Sequence, residues 1–310
     1  TEMVTGLDLV ALQIRVARGE ALTITQEDVR LNGHAIEARL YAEDPANDFL
    51  PATGPIALFA PASGNDVRVD SGIETGGQVS PYYDPMMAKI IAHGATRDEA
   101  RAKLIKALED TALFGVKTNQ TFLIDALEHD VFANGSATTA FIAQNFSHEA
   151  LTPPPLSHEH AAIAAVIQFE LARDCALQAS LPIAPELLNW CSATKIGTPY
   201  RYQNGDAVLD ITVTPQRVGA YAVSIGGSAL SALMLSRGNG TAGIQINETR
   251  YIALYRAKGA ENLELSIGRR RYSLTNETAI MASLDEEAGV GAVLAPMHGS
   301  LLELCVAAGD

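Results

Sequence analysis

"HAAIAAVIQFEL", residues 160–171, decides the architecture of the second half of this chain. Ala161, Ala162, Ile163, Ala164, Ala165, Val166, Ile167, Phe169 and Leu171 leave no wide polar face at helical spacing. A helix that is apolar on all sides is buried on all sides. Gln168, Glu170, Arg173 and Asp174 interrupt the run. It therefore falls short of the ~18 continuous apolar residues that read as a membrane span. The expectation is a buried helix from about Glu159 to Ala179. What surrounds it follows in the sequence: "YRYQ", "AVLDITVT", "AYAVSI", "ALSALML", "GIQIN", "RYIALYR", "LELSIG" and "RRYSLT". Each alternates apolar with polar residues, and Asn204-Gly205, Gly226-Gly227, Gly238-Asn239-Gly240, Asn247-Glu248, Gly259 and Gly268 separate them as turns. Short alternating strands at this spacing form an antiparallel sheet or barrel. Alternating strands have one face to bury, and the alanine-rich helix is the nearest apolar partner. About eight strands wrapped around, or stacked on, one helix are expected over residues 158–280.

Upstream, "SHEALTPPPLSHEH" carries Pro153, Pro154 and Pro155. Three prolines in a row fit neither a helix interior nor a central strand, so residues 149–157 read as a stiff linker. The block before it, residues 1–148, is mixed α+β. "GLDLVALQIRVARGE" has helical spacing with Gly19 near its end. "PMMAKIIAHG" reads as a buried strand. In "TRDEARAKLIKALEDTALFG", Thr96 and Glu99 make a capping box, and Ala100, Leu104, Ala107 and Leu108 form an apolar stripe. "NQTFLIDALEH" reads as another helix. Downstream, residues 281–293 are acidic and rich in Gly and Ala, and read as a second linker ahead of a short strand-like segment, residues 294–310.

Composition bounds the function. The chain has 310 residues, enough for about two domains. With 47% hydrophobic residues it builds proper cores, and its net charge of −14 argues against a general nucleic-acid binder. Cys175, Cys191 and Cys305 lack metal-ligand spacing and an even-count disulfide framework, and read as reduced, buried thiols. The chain begins at Thr1 within structured sequence and stops in mid-pattern at Asp310, as a piece of a longer protein would.

Within the first block, "GHAIEARLYAEDP" (residues 33–45) alternates charge with small or apolar residues. Period two puts Glu37 and Arg39 on one strand face. Two readings fit the residues alone: a solvated surface ion pair, or an arginine held ready to grip an anion. Asp84, ahead of Pro85, reads as a turn residue, Tyr82 and Tyr83 as packing residues, and Arg68 as half of a strand ion pair. His34 has no second His or Cys at metal spacing.

"TEMVTGLDLVALQIRVARGE", "GHAIEARLYAEDP", "FLPATG", "RVDSG", "SPYYDPMMAKII" with "GATRDEA", and "GVKTNQTFL" occur in this order. Together they resemble the C-terminal part of biotin carboxylase, and most closely the α subunits of acyl-CoA carboxylases of the 3-methylcrotonyl-CoA, geranyl-CoA and propionyl-CoA type. "APMHGSLLELCVAAGD", with Ala295, Pro296, Met297 and Gly299, resembles the opening of a biotinyl carrier domain. A helix-plus-strands module between the two resembles the BT-type domain that docks β subunits.

The resemblance implies a ligase that uses ATP and bicarbonate to carboxylate biotin. In it, Arg39 meets bicarbonate and the biotin ureido group, Glu37 and Asp84 support that site, and Arg68 lies at a carboxylase dimer contact. A guanidinium is always charged and offers a planar fork of donors, which suits a ureido oxygen gaining negative charge. The implied cofactors are biotin and ATP with Mg or Mn. The nucleotide site is expected upstream of Thr1 and the biotinyl lysine downstream of Asp310, so the chain by itself is expected to be inactive. The implied partners are a carboxyltransferase β subunit and a second copy of the carboxylase part, in the bacterial cytoplasm or the mitochondrial matrix. A second reading of the chain is a non-catalytic assembly module that docks β subunits.

Overall fold

The computed structural model describes residues 1–179, 195–205 and 207–288. Cys191, Cys305, the carrier-like segment 294–310 and the end of the expected second linker lie outside these residues. A helix α1, Leu9–Ala17, precedes strand β1, His34–Tyr41; then come β2, Leu58–Ala60, β3, Val67–Ser71, and β4, Met86–Gly94. β1, β4 and β3 form an antiparallel sheet in that order. Helix α2, Arg97–Asp110, follows, with Thr96 Oγ1 accepting from Glu99 N–H at its N-cap. Ala100, Leu104, Ala107 and Leu108 are its buried residues. Leu104, Ala107 and Leu108 share a core with Ala38 and Ile90 of the sheet. A short strand β5, Ala112–Phe114, pairs with β2, and helix α3, Gln120–Glu128, completes this mixed α+β unit.

The second unit is the α4 helix, His158–Ala179, inside a closed antiparallel barrel. The barrel strands are β6, Thr198–Asn204, β7, Ala207–Arg217, β8, Ala220–Ile225, β9, Ser228–Gly238, β10, Thr241–Ile246, β11, Thr249–Lys258, β12, Asn262–Ile267, and β13, Arg270–Asn276. β13 closes the ring on β6 through Tyr202–Asn276 and Gln203–Thr275 pairs. Seven consecutive helix residues, Ala161–Ile167, are fully buried. Seven residues at 100° steps visit every direction around a helix, so the barrel surrounds α4 rather than stacking on one face. Inward Ala232, Ala242 and Ala253 meet the alanines of α4 and let the backbones approach, while Tyr202, Tyr221, Ile211 and Leu265 fill the remaining space. The polar residues that follow in α4 are paired inside. Gln168 Oε1 accepts from Tyr202 Oη at 2.6 Å, and Glu170 takes Arg173 bidentately at 2.8 and 2.7 Å.

Some expectations change. The linker before the barrel is helical over His148–Leu151, and Leu156 is buried in the barrel core, so it acts as an anchor as well as a spacer. The stretch expected as a linker from residue 281 is helical as far as Ala288, within α5, Glu277–Ala288. Its Ala, Met, Leu and Glu are strong helix formers, and no Gly or Pro intervenes before Gly289. Cys175 is exposed rather than buried, because α4 has left the alanine-rich stretch by that point.

Candidate functional site

The three-stranded sheet has a buried and an open face, and the alternation of β1 sorts its residues between them. Ala38 and Leu40 are buried; Glu37 and Arg39 are exposed on the other side. Directly opposed residues of antiparallel strands share a face. Arg39 opposes Lys89, which opposes Asp70; Glu37 opposes Ile91, which opposes Arg68. Five charged side chains thus gather on one face of a sheet whose other face is locked against α2.

Glu37 Oε1 accepts from Arg39 Nε at 3.0 Å, and 59% of the Arg39 side chain stays exposed. The Glu37 hydrogen bond, with help from Tyr41, holds this guanidinium above its ordinary range, so it is a permanent cation. It is oriented from one side and open to an anion on the other. Arg68 is engaged within the chain, by Asp70 at 2.8 Å and by Glu2 at 2.5 Å. It ties the N-terminal residues to β3, and the Arg68 hydrogen bond holds the Glu2 carboxyl below its usual range.

Asp84 is tied to its own turn. Its Oδ1 accepts from Met86 N–H at 2.9 Å, and no ion pair joins it to Arg39 among the described residues. It faces Glu43, whose carboxyl is pushed up by its own burial and then by the Asp84 charge. Tyr82 and Tyr83, expected to pack, are 88% and 81% exposed. The short turn that leads into β4 carries them outward, and Val79 and Met87 on either side of it fill the core instead. His34 is exposed, and no group of three or more metal-ligating side chains occurs among the described residues.

One buried group of this region escaped the sequence reading. Asn119, just before α3, makes no capping bond to its own helix. Its side chain crosses to β1, where Oδ1 accepts from Tyr41 N–H at 2.9 Å and Nδ2 donates to the Arg39 carbonyl at 3.2 Å. The available signal was its position, an asparagine at a helix start, which reads as a cap.

Residues 37–144, which carry this sheet, its arginine and α2, match the biotin carboxylase C-terminal domain family. This part of the chain is a biotin carboxylase C-terminal domain. Over the whole chain, the mitochondrial methylcrotonoyl-CoA carboxylase subunit alpha of Rattus norvegicus is 31% identical, and the match covers 100% of this chain and 45% of that protein. Biotin carboxylase 1 of Bacillus subtilis (strain 168) is 46% identical over 46% of this chain and 32% of its own length. The mitochondrial methylcrotonoyl-CoA carboxylase subunit alpha of Oryza sativa subsp. japonica is 47% identical over 46% of this chain and 19% of its own length. The chain thus spans less than half the length of these relatives. The match to the rat subunit runs over the whole chain, barrel included, whereas the other two cover less than half of it.

Proposed function

We propose that this chain is part of the α subunit of a biotin-dependent acyl-CoA carboxylase, with 3-methylcrotonyl-CoA carboxylase the best fit. Arg39 is its catalytic arginine, and Glu37 is the residue that orients it. The observation that carries this reading is the Arg39–Glu37 pair: a guanidinium anchored through Nε on a rigid sheet, more than half exposed, in a biotin carboxylase C-terminal domain. Its remaining donors suit bicarbonate and a biotin ureido oxygen that gains negative charge as N1′ loses its proton. ATP supplies the activation of bicarbonate and biotin carries the carboxyl group; the residues described here hold the arginine that both steps face. Asp84 supports the same site from the turn ahead of β4.

In the same reading, the barrel docks a carboxyltransferase β subunit, which recognises the acyl-CoA, and Arg68 lies near a contact between two carboxylase copies. The setting is the bacterial cytoplasm or the mitochondrial matrix. The length match to the rat subunit supports the barrel's place in such a subunit. The test is biotin carboxylation by the full-length α subunit with Arg39→Gln. Losing one preorganised donor to a developing oxyanion costs about 10²–10³ in rate. A variant with wild-type carboxylation would exclude the catalytic role.

A further inference from the structure

We infer that Asn119 is a positioning residue for Arg39, acting through the backbone of β1; the inference rests on the catalytic reading of Arg39. β1 is an edge strand: β4 pairs with one side of it, and the sheet offers nothing to the other. Just beyond Arg39 the β1–β4 register shifts between Leu40 and Tyr41, where β4 carries one extra residue, Met87. A bulge of this kind loosens the ladder and re-aims the neighbouring side chain. Asn119 occupies the open edge at this point. Its carboxamide offers the one donor and one acceptor that a peptide unit of a partner strand would offer. Oδ1 takes Tyr41 N–H at 2.9 Å, Nδ2 gives to the Arg39 carbonyl at 3.2 Å, and Asn119 N–H gives to the Tyr41 carbonyl at 3.2 Å. β1 is thereby held from its open edge where β4 carries the bulge on its other side.

The clamp has a firm base. Asn119 is 5% exposed, and the adjoining Gln120 is 1% exposed, with its Nε2 donating to the carbonyls of Leu108 and of Thr111, the latter at 2.8 Å. Leu108 belongs to α2, which packs under Ala38 and Ile90. Strand, clamp and supporting helix form one closed unit, and the guanidinium of Arg39 projects from its open side. No other side chain among the described residues meets the outer edge of β1 at both Arg39 and Tyr41.

The experiment measures biotin carboxylation by the full-length α subunit carrying Asn119→Ala, Arg39→Gln, or both, with thermal unfolding followed in parallel. A misplacement of about 1 Å at a reacting group costs about 10²-fold. Asn119→Ala is expected to lower kcat/KM for biotin by about that factor in the Arg39 background, and to lower it no further once Arg39 is Gln. Asn119→Asp keeps the acceptor but loses the donor to the Arg39 carbonyl, and is expected to be impaired as well. Losses that multiply in the double variant would overturn the inference, since Asn119 would then serve the fold alone. Full activity of Asn119→Ala beside an impaired Arg39→Gln would overturn it too. Full activity of Arg39→Gln would instead remove the catalytic reading on which the inference rests.

Discussion

Arg271, on β13 of the barrel, and Gln120, at the start of α3, donate to the same two backbone carbonyls, those of Leu108 and Thr111. These carbonyls lie at the C-terminal end of α2, where a helix leaves its last acceptors without internal partners. The Glu109 carbonyl adds a third contact to Arg271, at 3.3 Å. Around it, Glu264 Oε1 accepts from Gly115 N–H at 2.8 Å, Thr121 Oγ1 donates to the Arg269 carbonyl at 3.0 Å, and Arg269 pairs with Asp125 and Glu128. The β12–β13 hairpin therefore docks the barrel onto the helix that supports the arginine-bearing sheet.

The shared acceptors predict a specific coupling. With either donor removed, the other still serves both carbonyls; with both removed, two carbonyls at a buried helix end are orphaned. Gln120→Ala and Arg271→Ala are each expected to cost about 0.5–1.5 kcal/mol, the net worth of a hydrogen bond whose acceptor keeps another donor. The double variant should lose more than the sum of the two, because the sites share partners. Urea unfolding of all three variants checks this, and strict additivity would show that the two donors act independently. Arg271 forms no ion pair among the described residues, and burial lowers its pKa to about 10, with only the Glu109 charge acting the other way. The carbonyls are thus what makes its buried charge tolerable.

Ile167 tests the central helix. It is fully buried among barrel residues. Ile167→Val should cost about 1 kcal/mol, the usual result of deleting one buried methylene. Ile167→Asp leaves an unpaired carboxyl there and should cost about 3–5 kcal/mol, enough to melt the barrel at ordinary temperatures. Thermal denaturation distinguishes the two. An Asp variant with unchanged melting would mean that α4 is not enclosed.

His160 predicts a pH dependence. Its Nδ1 lies 2.9 Å from Tyr272 Oη, and the rings of Tyr251 and Tyr272 meet it edge-on. Burial lowers its pKa below the ordinary 6.5; Arg270 lowers it too, and Glu159 opposes them. A base with a lowered folded pKa binds fewer protons folded than unfolded between the two values. Its contribution is therefore fully present above pH 6.5 and is lost as pH falls toward the folded pKa. One such group changes stability by at most about 1.4 kcal/mol per pH unit. Comparing unfolding of wild type and His160→Gln from pH 7 downward should show a steeper loss in the wild type. Parallel curves would assign the acid sensitivity to other groups.

Gly94 ends β4 where α2 begins. A Cβ there would stand 2.5 Å from Ala100 N and 2.8 Å from Glu99 Cβ. Helix backbone cannot yield like a flexible side-chain tip, so Gly94→Ala should displace α2 and cost about 1–3 kcal/mol. Because Leu104 and Leu108 of α2 pack beneath β1 and β4, the same variant should lower carboxylation by the full-length subunit. Retained stability together with retained activity would show that the helix moves aside freely.

Local pattern made much of this protein legible. The all-apolar stretch Ala161–Ile167 demanded enclosure, and the eight alternating segments supplied a wall with one apolar face. The Thr96 cap and the stripe through Leu104 and Leu108 placed α2. The alternation around Arg39 put it beside Glu37, two residues away on the same strand face. These features depend on periods of two or 3.6 residues and on neighbours in the chain, so the sequence determines them by itself. Tertiary structure decided what depends on partners far along the chain. Asn119 reads as a helix cap, yet it grips β1, 78 and 80 residues earlier, because the fold offers it an open strand edge. Tyr82 and Tyr83 read as core, yet the turn before β4 carries them into solvent. Asp84 shares a motif with the site, yet its carboxylate turns to its own backbone and faces Glu43. Arg271 showed no signal at all, since its partners are main-chain carbonyls some 160 residues away, and a carbonyl looks the same in every residue. Side-chain chemistry and local period are written in the sequence; which open strand edge or helix end a polar group will complete is fixed only when the two units close on each other.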